Sequence, residues 1–211
     1  MKIIEASTEI IYPSKLSEWL KEVKLIELAA RNCYKSEDKI TDNSWKKMVK
    51  KLIELNHGAM LEFGNFICRI ITDRGVTHEL VRHRLASYAQ ESTRYCNYSQ
   101  DKFNNELTFV KPSQVLAYEG SAAENGWLRS MEHAENSYLH LIQNNCSPQQ
   151  ARSVLPNSLK TEIIMKCNWR ELMYIIKLRT SPAAHPDIVK VFKDIQAKVQ
   201  KAMPEVFAVE C

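Results

Sequence analysis

Hydrophobic and polar positions along the chain predict an irregular succession of helices and short strands. Lys2 to Ala6 reads as a short strand. From Lys15 to Tyr34 the apolar residues Leu16, Trp19, Leu20, Val23, Ile26 and Ala30 recur at helical spacing. A second amphipathic helix follows Thr41, with Asp42 near its start, Trp45, Met48, Val49, Leu52 and Ile53 inward, and His57-Gly58 at its end. Leu61 to Thr72 is rich in Phe and Ile with partial alternation, which predicts a strand. Asp73-Arg74-Gly75 then predicts a turn, and Val76 to His83 a short helix. Ser87 to Gln100 is polar and aromatic without a period, so an ordered loop is expected, irregular again near Tyr98 to Asn105. Beyond it come a strand at Leu107 to Val110, a helix from Ala122 to Asn144, and a shorter helix from Pro148 to Leu155 closed by Pro156. Thr161 to Lys166 alternates as a strand and Trp169 to Leu178 is helical, while Ile188, Phe192, Ile195, Val199 and Met203 line a final helix.

Uneven helical blocks between the strands do not make a βαβ series, so the expected class is α+β rather than a doubly wound parallel sheet. With 211 residues, no internal repeat and no linker, residues 1–211 are expected to form a single domain. No apolar run approaches the roughly 18 residues of a membrane span, and MKIIEASTEI lacks a signal-peptide layout, so a cytoplasmic protein without a membrane partner is expected. Cys33, Cys68, Cys96, Cys146, Cys167 and Cys211 are scattered, without metal-finger spacing, and are expected to be reduced thiols. A net charge of +4 suits small anionic ligands better than a nucleic-acid polymer, which calls for a denser basic face.

Candidate chemistry is concentrated between Arg74 and Arg94. His78-Glu79 opens like a zinc-protease helix, but the second histidine, needed four residues on, is Arg82. His83 lies one residue too late, roughly 100° further round a helix. No metal site is therefore expected. Arg82 and Arg84, two apart, would point to opposite sides of a helix and could serve two anionic groups or two sides of a subunit interface. Over residues 73 to 94, four arginines stand against three acids for a net of +1, which a plain solvated face would also give. Ser87 and Ser92 sit in no nucleophile elbow, so hydroxyls that bond a phosphate or the backbone are the better reading.

Arg82-His83-Arg84, seven further residues and then Ser92 closely resembles the signature of flavin-dependent thymidylate synthases, with the match running through Ser87 and Arg94-Tyr95. His57-Gly58 with Glu62 upstream, then Arg152 to Pro156, Asn168 to Met173 and Leu178-Arg179, occur in the family's order. The resemblance implies reductive methylation of dUMP to dTMP, with 5,10-methylenetetrahydrofolate as carbon donor and NADPH as reductant through FAD. It also implies an α+β domain with an antiparallel sheet flanked by helices, assembled as a homotetramer with sites shared between subunits. Carried over by position, His57, Ala59, Arg82, His83, Arg84, Gln90, Asn168, Arg170 and Tyr174 resemble flavin contacts. Glu79, Arg82, Gln90, Glu91, Ser92, Thr93, Arg94, Arg152 and Arg179 resemble contacts to dUMP, Arg179 being the one that polarises the pyrimidine. Three positions depart from a common form of the motif: Ala89-Gln90 stands where many members carry Asn-Glu, and Tyr174 where they carry Asn or His.

Elementary chemistry agrees with this assignment. Uracil C5 becomes nucleophilic when negative charge spreads over N3 and the carbonyls, and a guanidinium fork matches that planar edge better than an ammonium. Arg179 closes a predicted helix, where a cation is also favourable for the helix alone. Arg170 and Tyr174, four apart, share a helix face; Tyr174 could equally be a core aromatic, and His57 a helix-end cap. No Gly-rich dinucleotide turn exists, so side chains would have to meet the pyrophosphate, for which arginines are suited. No cysteine stands in an activating setting; Cys96, just past the motif, is the one tempting thiol. The rival reading is a non-catalytic nucleotide- or phosphate-binding oligomeric regulator, and the third a basic nucleic-acid-binding module.

Overall fold

Residues 1–113 and 120–207 are described by a computed structural model. Its first half contains β1 (Lys2–Ile4), β2 (Ser7–Tyr12), α1 (Leu16–Asn32), α2 (Ser44–Glu54), a 3-10 turn at Gly58–Phe63, β3 (Asn65–Asp73), α3 (Arg74–Leu80) and β4 (Ser87–Gln90). Then come β5 (Thr108–Val110), α4 (Ala122–Gln143), α5 (Pro148–Ala151), β6 (Lys160–Asn168), α6 (Trp169–Arg179), α7 (Pro186–Ala202) and α8 (Pro204–Phe207). The class is α+β, with an antiparallel four-stranded sheet in the order β2-β3-β6-β4 and helices flanking it. A separate pair, β1 with β5, is parallel. Among the described residues no helix is long and apolar enough to cross a membrane.

Two compact units divide the chain, each gathered from separated stretches. One holds Met1–Ser7, Ile70–Arg82 and Ala89–Ile163. Its core is Leu107, Phe109, Leu159, Met131, Tyr138, Ala151 and Tyr98, all nine-tenths or more buried. The Glu135 carboxylate accepts from the Leu107 amide at 2.8 Å, which ties α4 to the start of β5.

The other unit holds Thr8–Arg69, His83–Tyr88 and the chain from Ile164 onward. α1 turns Trp19, Val23, Ile26 and Ala30 inward as its spacing predicts, and α7 does the same with Ile188, Val191, Phe192, Ile195 and Val199. Trp19, Phe66, Trp169 and Phe207 form an aromatic cluster with neighbouring ring centroids 5.4–6.4 Å apart. The buried Glu22 carboxylate accepts from Tyr12 Oη at 2.5 Å and from the Asn65 amide at 2.7 Å, so α1 holds the end of β2 and the start of β3. That hydrogen bond, with burial, pushes the Tyr12 hydroxyl up to about 12.

Several boundaries differ from the sequence expectation. Ser87–Gln90 is a strand rather than a loop. It is short and made of small or polar residues, which leaves no period to read. β2 carries adjacent Ile10 and Ile11, which hides its alternation. Leu61 to Phe63 belongs to the 3-10 turn, and the strand starts only at Asn65. Asp73 caps α3, its carboxylate accepting from the Val76 amide at 2.8 Å, so the expected turn is a helix start. α3 stops at Leu80, not His83. Among the described cysteines, Cys33, Cys68, Cys96, Cys146 and Cys167 are free thiols; Cys211 lies outside the described residues.

At the junction of β6 and α6, the Trp169 amide donates to Gly64 O at 3.1 Å and its indole nitrogen to Asn65 O at 3.0 Å. A Cβ on Gly64 would stand 2.8 Å from the Trp169 ring and 3.0 Å from Ile26 Cδ1, both fully buried. Gly64→Ala should therefore cost about 1–3 kcal/mol, as overpacking of a filled core does. Urea denaturation measures it, and an unchanged midpoint would mean that the indole can move aside.

Candidate active site

His83 is the buried member of the Arg82-His83-Arg84 triplet. It lies in the turn between α3 and β4, so the two flanking arginines are not on a helix as expected. Arg82 and Arg84 are exposed while the imidazole between them is 5% exposed. Arg179 Nε donates to His83 Nε2 at 2.9 Å, and Glu171 Oε1 lies 3.7 Å from Nδ1. The Tyr174 ring meets the imidazole edge-on at 6.1 Å, and Tyr88 Oη donates to the His83 carbonyl at 3.2 Å. Glu171, Tyr174 and Arg179 all come from α6, Tyr174 about one turn beyond Glu171 and Arg179 about two, each within a quarter-turn of Glu171 round the axis, which is why one helix can supply all three. Burial, and then the Arg179 guanidinium, push the imidazole down to about 4, so it is neutral at physiological pH. With Nε2 accepting, Nδ1 carries the proton on the Glu171 side. Burial also raises the Glu171 carboxyl.

In the same unit a cleft of about 610 Å³ opens between α1, α2 and the 3-10 turn. Ala30, Met48, Leu52, Leu55 and Met60 give it an apolar wall, and His57, Ala59 and Arg170 stand on its rim. The His57 amide donates to Leu52 O at 2.8 Å and closes the end of α2, while its side chain makes no capping bond to the 3-10 turn, so the helix-end role falls to the backbone and the imidazole is left to the cleft. Arg170 Nη1 donates to Glu62 Oε1 at 2.6 Å, and its Nε lies where a Cβ on Gly58 would come within 2.8 Å. An apolar slot whose lining also includes the Arg170 guanidinium, the His57 imidazole and the Lys51 ammonium fits a large planar heterocycle with a polar edge. Asn168, expected beside them, caps α6: its Oδ1 accepts from the Glu171 amide at 2.8 Å. Tyr174 is half exposed and on His83 rather than on the cleft, so it is not a core aromatic.

Gln90 to Arg94 belong to the other unit. Gln90 Nε2 donates to Thr77 Oγ1 at 2.9 Å and Thr161 Oγ1 at 3.1 Å. The Glu91 carboxylate accepts from Tyr98 Oη at 2.9 Å and Lys160 Nζ at 2.7 Å, and its amide donates to Glu162 O at 2.8 Å. Ser92 O accepts from the Tyr95 and Cys96 amides, making a tight turn in which Thr93 is buried. Arg94 projects outward: its Nε donates to Gln149 Oε1 at 3.1 Å and its guanidinium lies over the Tyr95 ring. Gln149 is on α5, the short helix that leads into the exposed Arg152, and Glu79 is half-buried in α3. Among the described residues no group of three His, Cys, Asp or Glu is placed to hold a metal ion.

Tyr88 and Lys160 take part without having been singled out from the sequence, while Gly58 and Glu171 were named only within the family strings and given no role. Glu171 had a further signal, since Tyr174 and Arg179 each lie within a quarter-turn of it round the helix. Lys160 had none, because its partner is distant in sequence.

Residues 15–205 match the model of a family described as thymidylate synthase complementing protein. A flavin-dependent thymidylate synthase of Geobacter sulfurreducens is 31% identical over 86% of this chain and 79% of its own length. A Pyrococcus furiosus protein of the same name is 31% identical over 87% of this chain and 74% of its own. Among solved structures, the UMP/dUMP methylase PolB of Streptomyces cacaoi has a like fold, with a TM-score of 0.80 over 99% of this chain and 96% of that one, at 22% identity.

The depressed imidazole has a measurable consequence. As pH falls from about 6.5 towards 4, the unfolded chain binds a proton at His83 while the folded chain does not. Stability attributable to this group is therefore complete above that window and declines within it, by roughly 2–4 kcal/mol. Glu171, raised by burial, works in the opposite direction, so the comparison of interest is with His83→Gln. The variant should show a flatter dependence of unfolding free energy on pH across the window; parallel curves would mean that the imidazole titrates normally.

Proposed function

The chain belongs to the thymidylate synthase complementing protein family and is an enzyme of the flavin-dependent thymidylate synthase type, and we propose that it methylates dUMP to dTMP. In this reading 5,10-methylenetetrahydrofolate supplies the carbon, NADPH the reducing equivalents and FAD the link between them. The observation that carries it is the apolar cleft of the α1–α2 unit, which gathers His57, Ala59 and Arg170 on one rim.

Those residues would hold the flavin, the apolar wall covering its ring system and Arg170 meeting its polar edge. When bound, flavin supplies two-electron redox chemistry that no side chain here can provide. Arg170 is kept on the rim by Glu62 and by the bare Cα of Gly58. Arg94 and Arg152 are exposed cations suited to the phosphate of the nucleotide. Glu91, braced by Tyr98 and Lys160, fixes the turn that presents Arg94. Arg179 would stabilise negative charge on the pyrimidine carbonyls and N3 as C5 becomes nucleophilic. Arg94 and Arg179 lie in different compact units of the chain, and each site would be assembled from two subunits of a homotetramer in the cytoplasm.

Four experiments test this reading. Anaerobic NADPH should bleach the visible absorbance of the FAD-loaded protein, and dUMP with the folate should restore it with release of dTMP. A protein that binds dUMP but takes up no FAD would instead be a phosphate-binding regulator. Gly58→Ala should leave thermal stability within about 1 kcal/mol, since only the flexible Arg170 stem must move, yet weaken FAD binding several-fold; unaltered FAD affinity would remove Arg170 from the flavin site. Arg179→Ala should lower turnover by roughly 10²–10³ with FAD retained. Mixing unfolded Arg94→Ala and Arg179→Ala chains and refolding them together should yield activity well above either alone. If mass spectrometry finds mixed oligomers without recovery, the site is not shared between subunits.

A further inference from the structure

Resting on the reading of Arg179 as the pyrimidine-polarising residue, we infer that His83 positions it: the buried imidazole accepts from Arg179 Nε and so sets the plane of the guanidinium.

An arginine at a helix end has four side-chain torsions and would ordinarily sample several rotamers. Here the terminal group is tethered at 2.9 Å to an imidazole that is itself buried. Glu171 lies on the Nδ1 side of the imidazole, the Tyr174 ring stands edge-on to it, and Tyr88 holds the backbone carbonyl of the same residue. The edge held is Nε–H. A planar amide is matched by the opposite Nη1–Nη2 edge, which the imidazole does not occupy. A neutral acceptor is required for this: a protonated imidazole would offer Nε2–H to another donor and repel the guanidinium. The chemical roles are thus divided, with His83 touching no reacting atom and Arg179 carrying the charge stabilisation. This differs from a direct flavin contact by the imidazole, the role expected from its place in the motif.

His83→Leu keeps the volume and removes the acceptor, whereas His83→Gln restores an acceptor near the Nε2 position. The expected result is a 10- to 100-fold loss of kcat in His83→Leu, the size of one charged hydrogen bond. Its FAD affinity and the KM for dUMP should stay within about threefold of wild type, and His83→Gln should recover kcat to within about fivefold. In the double variant His83→Leu/Arg179→Ala, turnover should match Arg179→Ala alone, because the first residue acts only through the second. Loss of FAD binding in His83→Leu, or a double variant that falls by the product of the two single losses, overturns the inference. Wild-type kcat in His83→Leu beside an impaired Arg179→Ala overturns it too, while leaving the role of Arg179 intact. A fully active Arg179→Ala defeats the underlying reading instead. Should the leucine variant not fold, nitrogen NMR of the histidine-labelled wild-type protein decides. Nε2 should report as an unprotonated acceptor and Nδ1 as protonated from about pH 6 to 8. An Nε2–H tautomer or an imidazolium in that range overturns the inference.

Discussion

Trp169 is held in three ways at once, and the candidate site depends on it. Its amide bonds Gly64 O, its indole N–H bonds Asn65 O, and its ring is packed on the bare Cα of Gly64 with no exposed surface. Because Trp169 is the first residue of α6, this lock fixes the rotation of the helix as well as its starting point. Asn168 adds the cap that orients the first turn. Helical periodicity then does the rest. Arg170 comes out towards Gly58 and the cleft, while Glu171, Tyr174 and Arg179 come out towards His83. A rotation of one residue position, about 100°, would take Arg170 off Gly58 and Glu171 off His83.

Charge is handled by opposite means inside and outside. Glu22, Glu91 and Glu171 are buried or nearly so, and each has a polar neighbour suited to its surroundings. Glu22 has two neutral donors, Glu91 a phenol and an ammonium, and Glu171 an imidazole. Arg82, Arg84, Arg94, Arg152 and Arg170 are instead exposed. Exposed guanidiniums keep their hydration until an anion replaces it, so they cost the fold little and remain adaptable. The buried carboxylates serve rigidity, and the exposed cations serve recognition.

Long periodic elements were legible in the chain itself. Trp19, Val23 and Ile26, or Ile188, Phe192 and Ile195, announce their helices because each face repeats over several turns. β4 was not legible, since Ser-Tyr-Ala-Gln has neither length nor contrast and becomes a strand through pairing with β6. Motif spacing carried the family and the residue types of the site, including His83 and Arg179 as separate functional positions. Their direct bond spans 96 positions and no local pattern encodes it. The same holds for Lys160 with Glu91 and for Glu62 with Arg170, where tertiary placement alone makes partners of distant residues.

The interleaving of the two compact units bears on how such a chain can vary. Each is gathered from three separated stretches, and of the five places where the chain passes from one to the other, two, after Arg82 and after Tyr88, fall inside the signature itself. Neither unit can then be transplanted into a related sequence by a single crossover, nor released as a contiguous fragment by truncation from either end. Recombination among relatives would exchange parts of both together, so the family is expected to diverge by point substitution rather than by shuffling of modules.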